Sequence, residues 1–189
     1  MHPRATKSAI RTGCMLAIIL FATGACATAP FPSSPEVTFA LLSVRDLGTY
    51  GQTFASNPFL APSGFVHGAP DEFVAVGLKL ALPDAGTVSL DGSVRTPDGR
   101  EVARFYSLPE VQKYWSDWGD QSDLNSRSRL DTLNRWYPSA SQFQAGKGRS
   151  EYVVILVGKN PLPRPATVTL TVTLNGGPQE FTFPLPDKK

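Results

Sequence analysis

The segment from Ala166 to Leu174 alternates apolar residues with threonines almost without exception. Successive side chains of a β-strand point to opposite faces of the sheet, so this pattern predicts a strand with one buried face and one solvated face. A helix would bury a stripe of period 3.6 instead. The strict alternation therefore predicts a sheet with its core on one side.

Other segments have the same period of two. Residues 73–82 and 88–94 alternate in the same way, and residues 37–44 and 152–157 are apolar enough for two more strands. The segment 152–157 is apolar on both faces, which predicts a central position in its sheet. Hairpin turns are predicted at Pro97-Asp98-Gly99, before a strand over 101–106, and at Asn175-Gly176-Gly177, before a strand over 179–185.

About seven short strands with closely spaced turns are typical of an all-β domain. We predict an antiparallel two-sheet sandwich over residues 37–189, immunoglobulin-like in the broad sense. The Cys-Trp-Cys signature of true immunoglobulin domains is absent from the sequence. The prediction therefore concerns the architecture and not the strand topology.

Residues 107–137 interrupt the strand pattern and predict a short helical insertion. Ser107, Pro109 and Glu110 fit the start of a helix, and apolar residues follow at helical spacing as far as Trp118. A second short helix is expected within 126–137, with Leu130, Leu133 and Tyr137 on one face and Gly119 separating the two helices.

The insertion contains all three tryptophans of the chain. Large aromatic side chains with a polar atom are enriched in binding interfaces. Two interpretations are open, a small satellite core that fixes the insertion to the sheet or a recognition surface. The candidate binding residues are Tyr114, Trp115, Trp118, Trp136 and Tyr137.

The first 25 residues have the features of an export signal. A basic segment precedes nine apolar residues, 14–22, which are too few for a helix that spans a bilayer. The sequence Thr23-Gly24-Ala25-Cys26 resembles the lipobox of bacterial lipoproteins, with Thr23 where leucine is usual. The resemblance implies cleavage before Cys26 and acylation of its thiol. The competing interpretations are simple secretion, with cleavage after Ala27 or Ala29, and an uncleaved signal anchor.

Residues 26–36 are rich in proline and predict an extended tether between the lipid and the domain.

Without the three basic residues of the leader, the chain has 15 basic and 16 acidic residues. A near-neutral domain lacks the basic surface that binding to nucleic acid requires. Since Cys14 and Cys26 both precede the first predicted strand, the domain has neither a disulfide nor a thiolate metal site.

No catalytic pattern stands out in the sequence. Ser63, His67 and Asp71 lie close together in the chain, but no nucleophile-elbow motif accompanies them, and His67, Asp71 and Glu72 lack a known metal-ligand spacing. The acidic stretch from Asp117 to Asn125 does not follow the order of a calcium loop. We therefore expect no metal, no cofactor and no catalytic residue.

These features predict a lipid-anchored module of the cell envelope that binds or assembles with another envelope protein and is not an enzyme. If the organism has an outer membrane, Ala27 after the acylated cysteine resembles the default signal for sorting to it. The alternative is a lipoprotein that binds a small ligand or a glycan through the aromatic insertion. A third class, an envelope hydrolase, would require His67 close to a carboxylate and a hydroxyl.

Overall fold

The computed structural model describes residues 36–51, 56–62, 69–118, 123–174 and 177–187. All of them belong to one compact unit, Phe31–Lys189. The described ranges contain eight strands and three helices in the order β1 (Val37–Leu41), α1 (Val44–Leu47), β2 (Asp71–Leu82), β3 (Gly86–Arg95), β4 (Glu101–Phe105), α2 (Leu108–Asp117), α3 (Asp123–Trp136), β5 (Gln142–Ala145), β6 (Gly148–Lys159), β7 (Ala166–Leu174) and β8 (Gly177–Leu185). Among these residues no helix has the length and apolar character needed to cross a bilayer.

The strands form a mainly antiparallel β structure, as predicted, with 49% of the chain in strands and 20% in helices. Their hydrogen-bonded order is β1-β2-β6-β4-β3-β7-β8, and β5 pairs with β3. This is one continuous sheet that curls into a half-barrel. The separation into two sheets is not confirmed, because the short strand β4 pairs with β3 on one side and with β6 on the other.

The longest pairing in the sheet joins β2 and β6, and β6 is an interior strand between β2 and β4. The two strands pair over twelve positions, from Asp71↔Lys159 to Leu82↔Gly148. Residues 153–157 of β6 are all buried, so both faces of this strand are covered. The predicted central position of this segment is confirmed.

The curl of the sheet brings its two ends together. Phe39 of β1 and Phe181 of β8 stand at opposite ends of the strand order, yet their ring centroids lie 4.9 Å apart in an edge-to-face contact. The apolar residues of β7 are buried on the same concave side, and the threonines between them are partly or fully exposed. The alternation in β7 therefore specifies the buried face, as predicted.

The first predicted hairpin turn is confirmed. The amide of Thr96 donates to the carbonyl of Arg100 at 3.0 Å, and Gly99 has a φ of 85°, which favours glycine. The second turn includes Asn175 and Gly176, which lie outside the described residues. The strands beside it pair from Ala166↔Leu185 to Leu174↔Gly177.

The helix predicted at Ser107 is confirmed as α2. The carboxylate of Glu110 accepts hydrogen bonds from the amide and the hydroxyl of Ser107, each at 2.7 Å. Arg104 also donates to Glu110 at 2.8 Å. This hydrogen bond and those from Ser107 outweigh partial burial and lower the pKa of Glu110 to about 2.

The second helix, α3, begins at Asp123, before the predicted range, and its buried face differs from the prediction. Leu133 and Tyr137 are buried, but Leu130 is 44% exposed, so its predicted place on that face is wrong. Arg129 occupies the buried position instead and is only 3% exposed. An arginine fits there because its guanidinium carbon lies 4.4 Å from the centre of the Trp115 ring. Gly119, the predicted separator, lies outside the described residues.

A buried hydroxyl of the sheet has no hydrogen bond to the described part of the chain. It is the hydroxyl oxygen of Ser150 in β6, which is buried and finds no partner among the residues that the structure describes. An unsatisfied buried hydroxyl costs about 1–3 kcal/mol. We expect Ser150→Ala to raise the free energy of unfolding by about 1 kcal/mol in urea denaturation. The control Ser89→Ala, at a half-buried site in β3, is expected to change it by less than about 0.5 kcal/mol. A loss of stability in Ser150→Ala would contradict the prediction.

Candidate functional site

Trp115 of α2 is part of the hydrophobic core. Its side chain is 7% exposed, and its indole N–H donates to the carbonyl of Pro58 at 3.0 Å. The ring makes an edge contact with Phe73 of β2 at 6.2 Å, and Arg129 covers one of its faces. No face of this tryptophan remains for a ligand.

Tyr137, directly after α3, is also a core residue. Its ring stacks on Phe59 and Phe105, with centroids 6.3 Å away in each case. Its hydroxyl donates to the carbonyl of Tyr106 and accepts from the amide of Ile155 at 3.4 Å. Burial raises the pKa of Tyr137. The pairing between β4 and β6 ends at Phe105. The Tyr137 side chain packs beside β6 directly after that point.

Tyr114 and Trp118 of the insertion are half-buried against the core. The Tyr114 ring contacts Phe73 edge to face, with ring centroids 5.1 Å apart. The pKa of Tyr114 is raised, first by burial and then by the Asp71 charge. These candidate residues therefore pack the insertion against the core, which favours the satellite core.

Trp136, at the end of α3, is likewise half-buried against the core, and it also borders an open cleft. Its half-buried ring meets Tyr50 edge to face at 5.1 Å, and the guanidinium carbon of Arg135 lies 5.0 Å from its centre. These residues line an open cleft of about 560 Å³ between α3 and the segment after α1. We call it the α3 cleft, and its principal lining residues are Tyr50, Arg127, Asp131, Thr132, Arg135 and Trp136.

The charged side chains of the α3 cleft are spaced four residues apart along α3. Arg127, Asp131 and Arg135 are exposed, and within the described part of the chain none of them forms a salt bridge. Since the α-helix rises 1.5 Å per residue, the charges follow one another at intervals of about 6 Å. The cleft thus presents alternating charges beside an aromatic pair.

Tyr50 also borders a second open cleft, of about 490 Å³, which is lined by residues of β1, β2 and the segment around α1. Its hydroxyl donates to Glu151 at 3.0 Å, and Lys79 lies 3.8 Å from the same carboxylate oxygen. Burial and the Glu151 carboxylate raise the pKa of Tyr50 to about 12. The phenol of Tyr50 therefore stays protonated. Its side chain lines both clefts.

The acids considered for catalysis and metal binding have structural partners. Asp71 accepts from Lys159 at 3.0 Å, and Glu72 accepts from Arg164 and from the amide of Leu162, both at 3.0 Å. Ser63 and His67 lie outside the described residues, as do Cys14 and Cys26. Among the residues that the structure does describe, no three His, Cys, Asp or Glu side chains are grouped as a metal site requires.

Sequence reasoning missed Tyr50, Arg127 and Arg135. Tyr50 lies in an irregular segment with no periodic pattern to mark it. The spacing of Arg127, Asp131 and Arg135 is visible in the sequence, but it is equally typical of a solvated helix face. Their position opposite Tyr50 distinguishes them, and that follows only from tertiary structure.

No protein-family model matches this chain, and no curated protein was found to match it.

Proposed function

We propose that this chain is a lipid-anchored binding or assembly module of the cell envelope, without catalytic activity, and that the α3 cleft is its contact surface. The observation that carries the proposal is the grouping of Tyr50, Trp136, Arg127 and Arg135 around one open cleft. Tryptophan, tyrosine and arginine are the residues most enriched among those that dominate binding energy at protein interfaces. Another envelope protein is the proposed partner.

Four acids of the sheet and of α2 are paired within the domain, which supports a role in binding instead of catalysis. Asp71, Glu72, Glu110 and Glu151 each accept a hydrogen bond from a basic or tyrosine side chain of the domain. A general acid or base must exchange its proton with a substrate, and a carboxylate held in an internal ion pair is poorly suited to that task.

The membrane attachment rests on the leader and Cys26. We expect Cys26→Ser to abolish incorporation of a fatty-acid analogue and to release the domain from the membrane fraction. Ser33→Ala in the tether serves as the control and should leave both unchanged. Labelling that persists in Cys26→Ser, or an intact mass that begins at Thr28 or Pro30 without added hydrocarbon, would contradict the anchor.

Photocrosslinking in the native envelope tests the contact surface. A photoreactive residue at Ser128, inside the α3 cleft, is expected to yield a discrete adduct. The same residue at Thr182, exposed on β8, should not. Trp136→Ala should reduce the Ser128 adduct about tenfold, since loss of a central aromatic anchor costs at least 1–2 kcal/mol of binding. Equal adducts at both positions would contradict the proposal.

A small-ligand or glycan site is the second candidate function. The edge-to-face pair of Tyr50 and Trp136 favours it, because both rings line an open cleft and sugars stack on accessible aromatic faces. Arg135 lies over the Trp136 ring and would have to move before a sugar stacked there. A soluble saccharide that quenches Trp136 fluorescence and blocks the Ser128 adduct would support this candidate over a protein partner.

We also propose that the curled sheet is folded into the two layers of a sandwich. β1, β2 and β6 would form one layer and β3, β7 and β8 the other, with β4 as the corner between them. The contact between Phe39 and Phe181 supports this arrangement. X-ray crystallography should give a separation of about 10 Å between the facing layers; a clearly wider interior would favour a barrel.

A further inference from the structure

The charged side chains of α3 differ in their pairing from another set of charged residues that lie four positions apart in the insertion. On α2, Lys113 and Asp117 are also exposed and four residues apart, and they form an ion pair of 2.6 Å. On α3, Asp131 has an arginine four residues before it and another four residues after it, yet within the described residues it pairs with neither. Two guanidinium groups and one carboxylate therefore remain available to a partner.

The aromatic ring beside these charges positions one of them. Arg135 lies over Trp136, and a guanidinium stacked on an indole loses few further rotamers when it binds a carboxylate. Arg127 stands two helical turns away, about 12 Å along the helix axis. The cleft thus presents two cationic positions at a defined separation, with an anionic position halfway between them.

We propose that the α3 cleft binds an acidic segment of a partner protein. Two carboxylates about 12 Å apart along α3 pair with Arg127 and Arg135, and a hydrogen-bond donor or a basic side chain of the same segment pairs with Asp131. An apolar side chain of the segment packs between Tyr50 and α3. This inference rests on the proposed function and specifies the chemistry of the partner.

The alternation of charge favours a protein over other anions. A polysaccharide with a uniform negative charge, or an anionic lipid surface, would place charge against Asp131 and be repelled there. The Arg135 guanidinium also occupies the ring face of Trp136 on which a sugar would stack. Proteins carry both signs of charge on one short segment, so a protein satisfies all three positions.

The test combines crosslinking at Ser128 in the native envelope with charge reversal. The full-length chain carries Arg127→Glu and Arg135→Glu together, and the control carries Arg100→Glu and Lys113→Glu, which are exposed and lie outside the cleft. We expect at least a tenfold loss of the Ser128 adduct in the first variant and little change in the control. The crosslinked peptide should belong to a protein and carry a net negative charge. Changing its acidic residues to lysine should restore the adduct in the first variant.

Each other outcome has a defined meaning. An adduct that survives the reversal of Arg127 and Arg135, or that joins a basic peptide, overturns the inference and leaves the proposed function standing. An adduct with a polysaccharide or a lipid also overturns it. If no adduct forms at Ser128 in the unmodified chain, both the inference and the proposed function fail.

Discussion

Replacing Trp115 with alanine should lower the free energy of unfolding by about 3–5 kcal/mol, the usual cost of removing a large aromatic side chain from a core. Trp115 is buried against Phe73 and donates its indole hydrogen to Pro58. The substitution leaves a cavity and removes the hydrogen bond to the Pro58 carbonyl. It also removes the ring that Arg129 covers. Chemical denaturation followed by circular dichroism measures the effect.

Trp136→Ala is the matched control, because the same residue type sits half-buried at the end of α3. We expect it to cost clearly less than Trp115→Ala while weakening the contact at the α3 cleft. If Trp115→Ala unfolded at the denaturant concentration of the unmodified chain and lost partner binding instead, Trp115 would be a recognition residue and not a core residue.

The buried ion pair of Glu72 and Arg164 should give the other large effect. Glu72 is 7% exposed, and the same arginine donates to the carbonyls of Leu162 and Pro186, both at 2.8 Å. The pair thus ties the start of β2 to the segment before β7 and to the end of β8. We expect Glu72→Met to lower the free energy of unfolding by about 3–5 kcal/mol, because it leaves the Arg164 charge poorly compensated in a buried place.

A double variant distinguishes the effect of the uncompensated Arg164 charge from the effect of a simple loss of packing. Replacing both Glu72 and Arg164 with methionine removes the two charges together, and well-packed apolar substitutes for a buried pair are often close to neutral. The double variant should therefore be more stable than Glu72→Met alone. Lys113→Ala, which breaks an exposed ion pair, should change the stability by less than about 0.5 kcal/mol. A double variant less stable than the single one would contradict the explanation.

The local part of the fold was predictable because it depends on short-range patterns. Alternation identified the buried face of β7, the apolar run 152–157 identified a central strand, and Ser107 with Glu110 marked the start of α2. The strand β5 and the helix α1 were not predicted, since four residues carry too little periodicity.

The candidate site was harder to predict, because its residues meet only in three dimensions. The aromatic residues of the insertion were identified, but their composition could not separate Trp115, which is buried, from Trp136, which lines a cleft. Arg129 was missed as a core residue because a charged side chain normally indicates solvent. Its burial depends on the ring of Trp115, which belongs to another helix.

The sequence by itself determined most of the longer strands, the start of α2 and the buried face of β7, because backbone geometry imposes periods of 2 and 3.6 on the side chains. Tertiary structure alone decided which element covers each apolar face: β4 joins the strands into one curled sheet, Trp115 and Tyr137 enter the core, and Tyr50 meets Trp136 at the α3 cleft. The physical reason is that apolar burial is not directional, so a pattern along the chain specifies that a surface must be covered without naming the partner.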